Sequence, residues 1–364
     1  MTVREITNHL EKLAPLSTQE SYDNSGLIVG SGNEEVTNVL VSLDCTEDIV
    51  EEARSKQCEL IIAHHPIIFG GLKKLNGKNY VERTVIKAIK YGIAIYAIHT
   101  NLDNYIKGVN FEIGNRLGLT NLKVLRPKSN VLNKLVFFVP SENKLAVLDA
   151  LYASGAGRIG NYGECSFSTK GEGTFKPLEG ANPYEGEVGK REYVNEERVE
   201  VLVPSHLKGQ VYSVLNETHP YEEVAHEFYP LENQDQYLGS GMVGSLGSAV
   251  PTREFLQRLK ETFNCGVVRH TNILSETIRT VAFCGGSGSF LLKDALRANA
   301  DIYITGDFKY HEFFDAEGKI IIADIGHYES EQFTSDRIKA ILMEKFSTFA
   351  VHLTEVNTNP INYF

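Results

Sequence analysis

Four short apolar runs in this chain end abruptly on histidine or aspartate. ELIIA (59–63) runs straight into His64 and His65, and IAIYAI (93–98) into His99. DIYIT (301–305) leads through Gly306 to Asp307, and KIIIADI (319–325) through Gly326 to His327. Each run has the length and the apolar content of a strand buried on both faces. Helical patterns lie between the runs, one over 47–57 with Ile49, Val50 and Ala53 on one face. Another over 80–90 turns Val81, Val85, Ile86 and Ile89 inward. Strand–helix–strand alternation implies parallel pairing and an α/β sandwich. Parallel strands bring their carboxyl ends to one edge, and at that edge open α/β sheets bind ligands. The polar cluster at these strand ends therefore ties the fold to a site.

The same texture occurs on both flanks. NVLVSLD (38–44) belongs to the first. TVAFCG (280–285), a glycine turn into a helix over 289–298, a helix from about 329 to 346 and a strand TFAVHLT (348–354) belong to the second. The middle differs. LVFFVP (135–140), a helix over 143–153, hairpins within 158–177, RVEVLVP (198–204), a helix over 205–217 and VAHEFYPL (224–231) follow one another there. That order, β-α-ββ-β-α-β, predicts a ferredoxin-like module inserted into the α/β domain. The expected division is residues 1–127 plus 236–364 for the discontinuous α/β domain and 128–235 for the insert.

Composition narrows the classes of function. With 36 Lys+Arg against 47 Asp+Glu the net charge is −11, and more than half of it falls on the insert. Such a chain is unsuited to binding nucleic acid through a basic surface. The five cysteines are unpatterned and read as reduced thiols of a cytoplasmic protein. The amino-terminal segment has no continuous apolar leader, and no stretch is long enough to span a membrane.

His64, His65, Asp103, His327 and Glu331 form the candidate ligand set. His327 and Glu331 stand at i, i+4 and share a helical face. Each signal alone has an ordinary reading: adjacent histidines occur in turns, a glutamate in a first helical turn complements the helix dipole, and His99 could pair locally with Asp103. Four such events at equivalent strand ends point to metal. Histidine and carboxylate without cysteine suit zinc first, with iron, manganese or cobalt as alternatives. Five ligands exceed the need of one catalytic ion with an open position and suit two divalent ions per chain, bridged by a carboxylate. CGGSGSF (284–290) is either a phosphate cradle or a tight strand-to-helix turn. Cys45 reads as buried rather than nucleophilic. His9, His270 and His352 read as packing or surface residues, and His206, His219 and His226 belong to the insert.

ESYDNSGLIVG (20–30), HHPIIFGGLKKL (64–75), HTNLD (99–103), TGDFKYH (305–311) and DIGHYESE (324–331) resemble, in order, the motifs of the Nif-three-like family. Its bacterial members carry the name GTP cyclohydrolase 1 type 2 homologue. The family commonly has Trp where this chain has Tyr22, a swap that touches no ligand. The resemblance implies a two-lobed α/β fold binding two divalent metals through His64, His65, Asp103, His327 and Glu331, with Glu331 as the bridge and His99 and Glu331 as catalytic groups. His99, Asp307 and His311 would orient ligands or transfer protons. It implies a toroidal homohexamer, a trimer of dimers. The 158–177 stretch and HPYEEVA (219–225) resemble the extra module of longer members, similar to the trimeric PII and CutA domains.

The expected function is metal-dependent hydrolysis of a nucleotide or another small anionic, phosphate-bearing molecule, with opening of GTP at C8 as the variant that the family name suggests. The alternative is a non-enzymatic, metal-binding regulatory ring that recruits a partner. A ring threading nucleic acid is disfavoured by the charge.

Overall fold

The computed structural model describes residues 1–346 and 349–364, which form two compact units, 1–126 with 237–364 and 127–236. The first unit is mixed α/β and contains two sheets. In one, the strands lie in the order Gly26–Val29, Ala94–Ala97, Leu60–Ala63, Asn38–Ser42 and Ala350–Leu353. All neighbours are parallel except Gly26–Val29, which runs antiparallel at the edge. Thr348, expected to open the last strand, lies outside the described residues. In the other sheet the order is Arg269–His270, Ile321–Asp324, Ile302–Gly306, Thr277–Ser287, Asp235–Pro251 and Thr120–Lys128. Its Thr277–Ser287, Ile302–Gly306 and Ile321–Asp324 strands are parallel.

These strands read as unbroken apolar runs because both faces are covered. Val39, Val41, Leu60 and Ile62 face a core that also holds Ile302, Ile304, Ile321 and Ala323 of the second sheet. Leu40, Ile61 and Ala63 point the other way, against Ile49, Val50, Ala53 and Val85. The helices between the sheets contribute Ile6, Leu10, Ile113, Phe255, Ile338 and Ile341 to the shared core. The two flanks are therefore interleaved. A strand from the far carboxyl end pairs with Asn38–Ser42 of the first flank.

Helix Tyr80–Tyr91 forms where the spacing predicts it. The Asn79 side chain accepts from the Glu82 N–H, and Gly92 closes the end at φ 65°. The inward face differs from expectation. Val85 and Ala88 are buried, and Ile89, about 100° further round, faces solvent. The helix expected from 329 to 346 is two, His327–Glu331 and Thr334–Lys345. The helix expected over 289–298 is a 3-10 turn, Ser289–Leu291, followed by Leu292–Arg297.

In the second unit the strands lie in the order Ser166–Phe175, Glu192–Pro204, Leu132–Pro140 and His226–Leu231, all antiparallel. Helices Lys144–Ala153 and Lys208–Thr218 pack Val147, Leu151, Val211 and Leu215 on Leu135, Phe137 and Val139. The chain order and the strand order are those of a ferredoxin-like module. Of the hairpins expected within 158–177, a short one forms where Ile159 and Tyr162 exchange backbone hydrogen bonds. The strand Ser166–Phe175 that follows pairs with Glu192–Pro204 across a long connection. No helix among the described residues is long and apolar enough to cross a membrane.

Candidate metal centre

The first sheet delivers three histidines. Strand Leu60–Ala63 continues its ladder past its end, with the His64 and His65 N–H groups donating to the Ser42 and Leu43 carbonyls. That pins both side chains at the strand terminus. His99 follows the neighbouring strand and caps helix Thr100–Asn104, which carries Asp103. The second sheet delivers Asp307 after Ile302–Gly306, and His327 and Glu331 on the short helix after Ile321–Asp324.

The six residues His64, His65, His99, Asp103, His327 and Glu331 converge. Ring nitrogens of His64, His65 and His99 lie within 4.8 Å of one another, as do ligand atoms of His65, His327 and Glu331, and of His64, Asp103 and Glu331. Glu331 Oε2 is 3.0 Å from both His65 Nε2 and His327 Nε2, while its Oε1 is 3.9 Å from His64 Nε2. Across from that oxygen, Asp103 Oδ1 is 3.6 Å from His64 Nε2.

Every histidine is turned the same way. His64 Nδ1–H donates to the Ile98 carbonyl at 2.8 Å, and His65 Nδ1–H to Asp44 Oδ1 at 2.8 Å. His99 Nδ1–H donates to Asp23 Oδ1 at 2.8 Å, and His327 Nδ1–H to Asp307 Oδ2 at 2.7 Å. An acceptor on Nδ1 fixes the tautomer and leaves Nε2 as the available donor of an electron pair, the arrangement typical of metal-ligating histidine. Asp23 is itself held by Thr100, whose N–H and hydroxyl donate to Oδ2. Asp44 accepts from the Thr358 hydroxyl at 2.5 Å.

Burial sets the charges. It pushes His64 down to about 3, so that ring is neutral. Burial also opposes charge on His65 and His327, yet the carboxylates outweigh it. Asp44 and Glu331 hold His65 up to about 10, and Glu331 and Asp307 hold His327 up to about 11. Burial, and then the negative charge of Glu331, push Asp103 well above the usual carboxylate range. Glu331 lies well below that range, because His327 and His65 overcome its burial.

Two atoms test whether metal fits. His64 Nε2 and Asp103 Oδ1 are fully buried and have no hydrogen-bond partner. Buried polar atoms are ordinarily satisfied, and each orphan costs free energy. Here the two orphans face each other beside a buried glutamate, a donor set that a divalent cation satisfies and water-filled protein surface does not. Histidine and carboxylate donors suit such an ion. The residues present fit the group.

The glycine-rich turn serves this site by proximity. Gly286 has φ +61°, and a Cβ there would stand 2.3 Å from Glu331 Oε1 and 3.2 Å from His327 Nε2. Its N–H donates to Ser330 Oγ, and its carbonyl accepts from Thr305 Oγ1. The geometry is that of a tight turn packed against Glu331.

His99 and Asp103 are joined locally only through the backbone, the Asp103 N–H donating to the His99 carbonyl, while the His99 ring donates to Asp23. Asp307, expected to orient a ligand or transfer a proton, accepts from His327 Nδ1–H. His311 stays away, exposed on a 3-10 turn with its ring against Tyr310. His219 and His226 bond to backbone carbonyls within the insert. Burial pushes the Cys45 thiol up to about 12, which disqualifies it as a nucleophile. Asp23, Asp44 and Thr358 were missed. Asp44 ends NVLVSLD, the same kind of strand-end position that exposed the other residues, and Asp23 lies inside the ESYDNSGLIVG motif.

A cavity of about 730 Å³ opens over the cluster. The family model described as Duf34/NIF3 (NGG1p interacting factor 3) matches residues 1–360. A GTP cyclohydrolase 1 type 2 homolog of Halalkalibacterium halodurans is 39% identical, over 97% of this chain and 96% of its own. One of Bacillus subtilis is 36% identical, over 99% and 98%. The crystal structure of a Bacillus cereus protein related to NIF3 superposes with a TM-score of 0.87 at 35% identity, covering 100% of this chain and 99% of that one.

Proposed function

The chain belongs to the Duf34/NIF3 family, and from that premise we propose that it is a metal-dependent hydrolase with two divalent ions, zinc first among candidates, acting on a nucleotide or other phosphate-bearing small molecule. The observation that carries this reading is the pair of orphaned atoms, His64 Nε2 and Asp103 Oδ1, beside a Glu331 whose two oxygens face different histidines. His64, Asp103 and one oxygen of Glu331 would hold one ion; His65, His327 and the other oxygen would hold the second.

When bound, such a pair supplies Lewis-acid polarisation and a water acidic enough to act near neutral pH. The chain's own residues do the rest. Asp44, Asp307 and the Ile98 carbonyl keep the Nε2 atoms aimed inward. His99, oriented by Asp23 and lying beside His64 and His65, is placed to carry a proton between the site and the cavity. The relatives' name points to GTP as one substrate of this class.

The same reading includes a ring assembly through the insert, with the PII- and CutA-like resemblance as its motive. Exposed Tyr162, Phe167 and Tyr193 are the surface that such an assembly would cover. The test of function is turnover. Metal-loaded protein offered GTP and a panel of phosphoesters should show activity that chelation abolishes. His65→Ala should lower it by more than about a hundredfold while the circular dichroism spectrum is kept. Turnover that survives both treatments contradicts the assignment.

A further inference from the structure

Tyr22, Phe69, Tyr80 and Phe290 all line the cavity, and they are 65%, 52%, 59% and 53% exposed. They come from four separate segments: the 20–25 turn, the loop after His65, the start of helix Tyr80–Tyr91, and the 3-10 turn beyond the glycine-rich strand end. Exposed aromatic surface gathered on one mouth marks a place where something apolar and flat is received. Phe69 ties this rim to the metal cluster, its ring meeting His99 edge-on at 5.6 Å.

The histidines that line the cavity, His65, His99 and His327, all belong to the cluster at its floor. The cavity's ionisable acids are Glu20, Asp44, Asp103 and Glu331, and no lysine or arginine lines it among the described residues. Arg126 lies over the Phe290 ring at 5.2 Å, but it is engaged with Asp294 and the Phe290 carbonyl. An anionic group therefore finds no lysine or arginine at the mouth and would go to the floor, where bound ions would carry the positive charge. A planar ring belongs at the mouth. The cavity volume lies within the range of small-molecule sites.

We propose that the cavity takes a nucleoside 5′-monophosphate, phosphate inward and base on the aromatic rim, and hydrolyses its phosphate ester; this rests on the dimetal reading above. The oxygen of water bonds to phosphorus and the P–O ester bond breaks, its electron pair going to the sugar oxygen. The water's proton passes to that oxygen, giving nucleoside and inorganic phosphate. Opening the guanine ring at C8 needs the reverse orientation, which would leave a triphosphate at a mouth of aromatic rings that no lysine or arginine lines among the described residues.

The test is calorimetric titration of zinc-loaded protein with the methylene phosphonate analogue of GMP, with ribose 5-phosphate and with inorganic phosphate. Phosphate and formate release from GMP and GTP and the metal content are measured on the same samples. The nucleotide analogue should bind at least about tenfold tighter than ribose 5-phosphate. Tyr22→Ala and Phe290→Ala should each remove about tenfold of that affinity and leave inorganic phosphate binding and metal content alone. Tyr22→Phe, which keeps the ring, should bind like the parent, and phosphate rather than formate should be released. Equal affinity for the analogue and ribose 5-phosphate, alanine variants without effect, or formate from GTP overturns the proposal. Protein without metal overturns the dimetal reading, whereas metal-loaded protein indifferent to the rim overturns this proposal alone.

Discussion

Asp44, Asp23 and Asp307 touch no ligand position themselves, yet each fixes which nitrogen of a histidine faces the centre. Replacing such an acceptor leaves the ligand present but free to rotate and change tautomer. Asp44→Asn and Asp307→Asn should each weaken metal binding about 10- to 100-fold with little change in melting temperature, measured by competition with a chelating dye. Protons add a second expectation. Without metal, His65 and His327 are held protonated up to about 10 and about 11. An incoming ion must displace those protons, so apparent affinity rises with pH below that range. Loading should weaken by about tenfold or more per unit as pH falls from 8 to 6, with protons released on binding. The clustered residues were legible because each directly ends an apolar run or sits one helical turn from one that does. Among their orienting partners Asp307 was legible in the same way, whereas Asp23 and Asp44 reach His99 and His65 only through the fold.

At the scale of elements, the glycine-rich turn and the helix after Gly326 place Glu331. Sequence left the turn as phosphate cradle or tight turn, because spacing gives backbone freedom but not what lies opposite. Gly286 lacks a Cβ because Glu331 occupies that space. Gly286→Ala should push the carboxylate out and combine strain at positive φ with lost coordination. We expect loss of most bound metal and destabilisation of about 1 kcal/mol or more in a denaturant titration of the metal-free protein. Unchanged metal content would show that Glu331 does not need this approach. The helix boundary at 331–334 and the outward Ile89 were missed for a related reason. Apolar periodicity gives a face, while Ala88 took the place against the sheet that size alone would have given to Ile89.

At the scale of the molecule, the strands of the unit that holds the cluster come from both ends of the chain, so neither flank folds as a half. The insert is different: it has its own core, and none of the clustered histidines or carboxylates belongs to it. Strands Thr120–Lys128 and Asp235–Pro251, which lead into and out of it, are neighbours in one sheet. Replacing 129–234 with a short flexible linker should therefore leave metal stoichiometry unchanged, and loss of metal would make the insert part of the site. The insert also carries most of the net negative charge, which the chain total alone conceals. Charge still argues against a nucleic-acid binder, but the mild acidity of the unit that holds the cluster does not bar a small anion whose partner would be bound ions.

The central claim is that Glu331 joins two ions in one cluster, and metal stoichiometry tests it most directly. Protein purified free of tags, loaded separately with zinc, manganese, iron or cobalt and analysed by mass spectrometry of the dissolved metal should hold close to two ions per chain. Glu331→Ala should hold one or fewer. A single ion per chain that Glu331→Ala leaves in place, or no ion under any loading, would contradict the account.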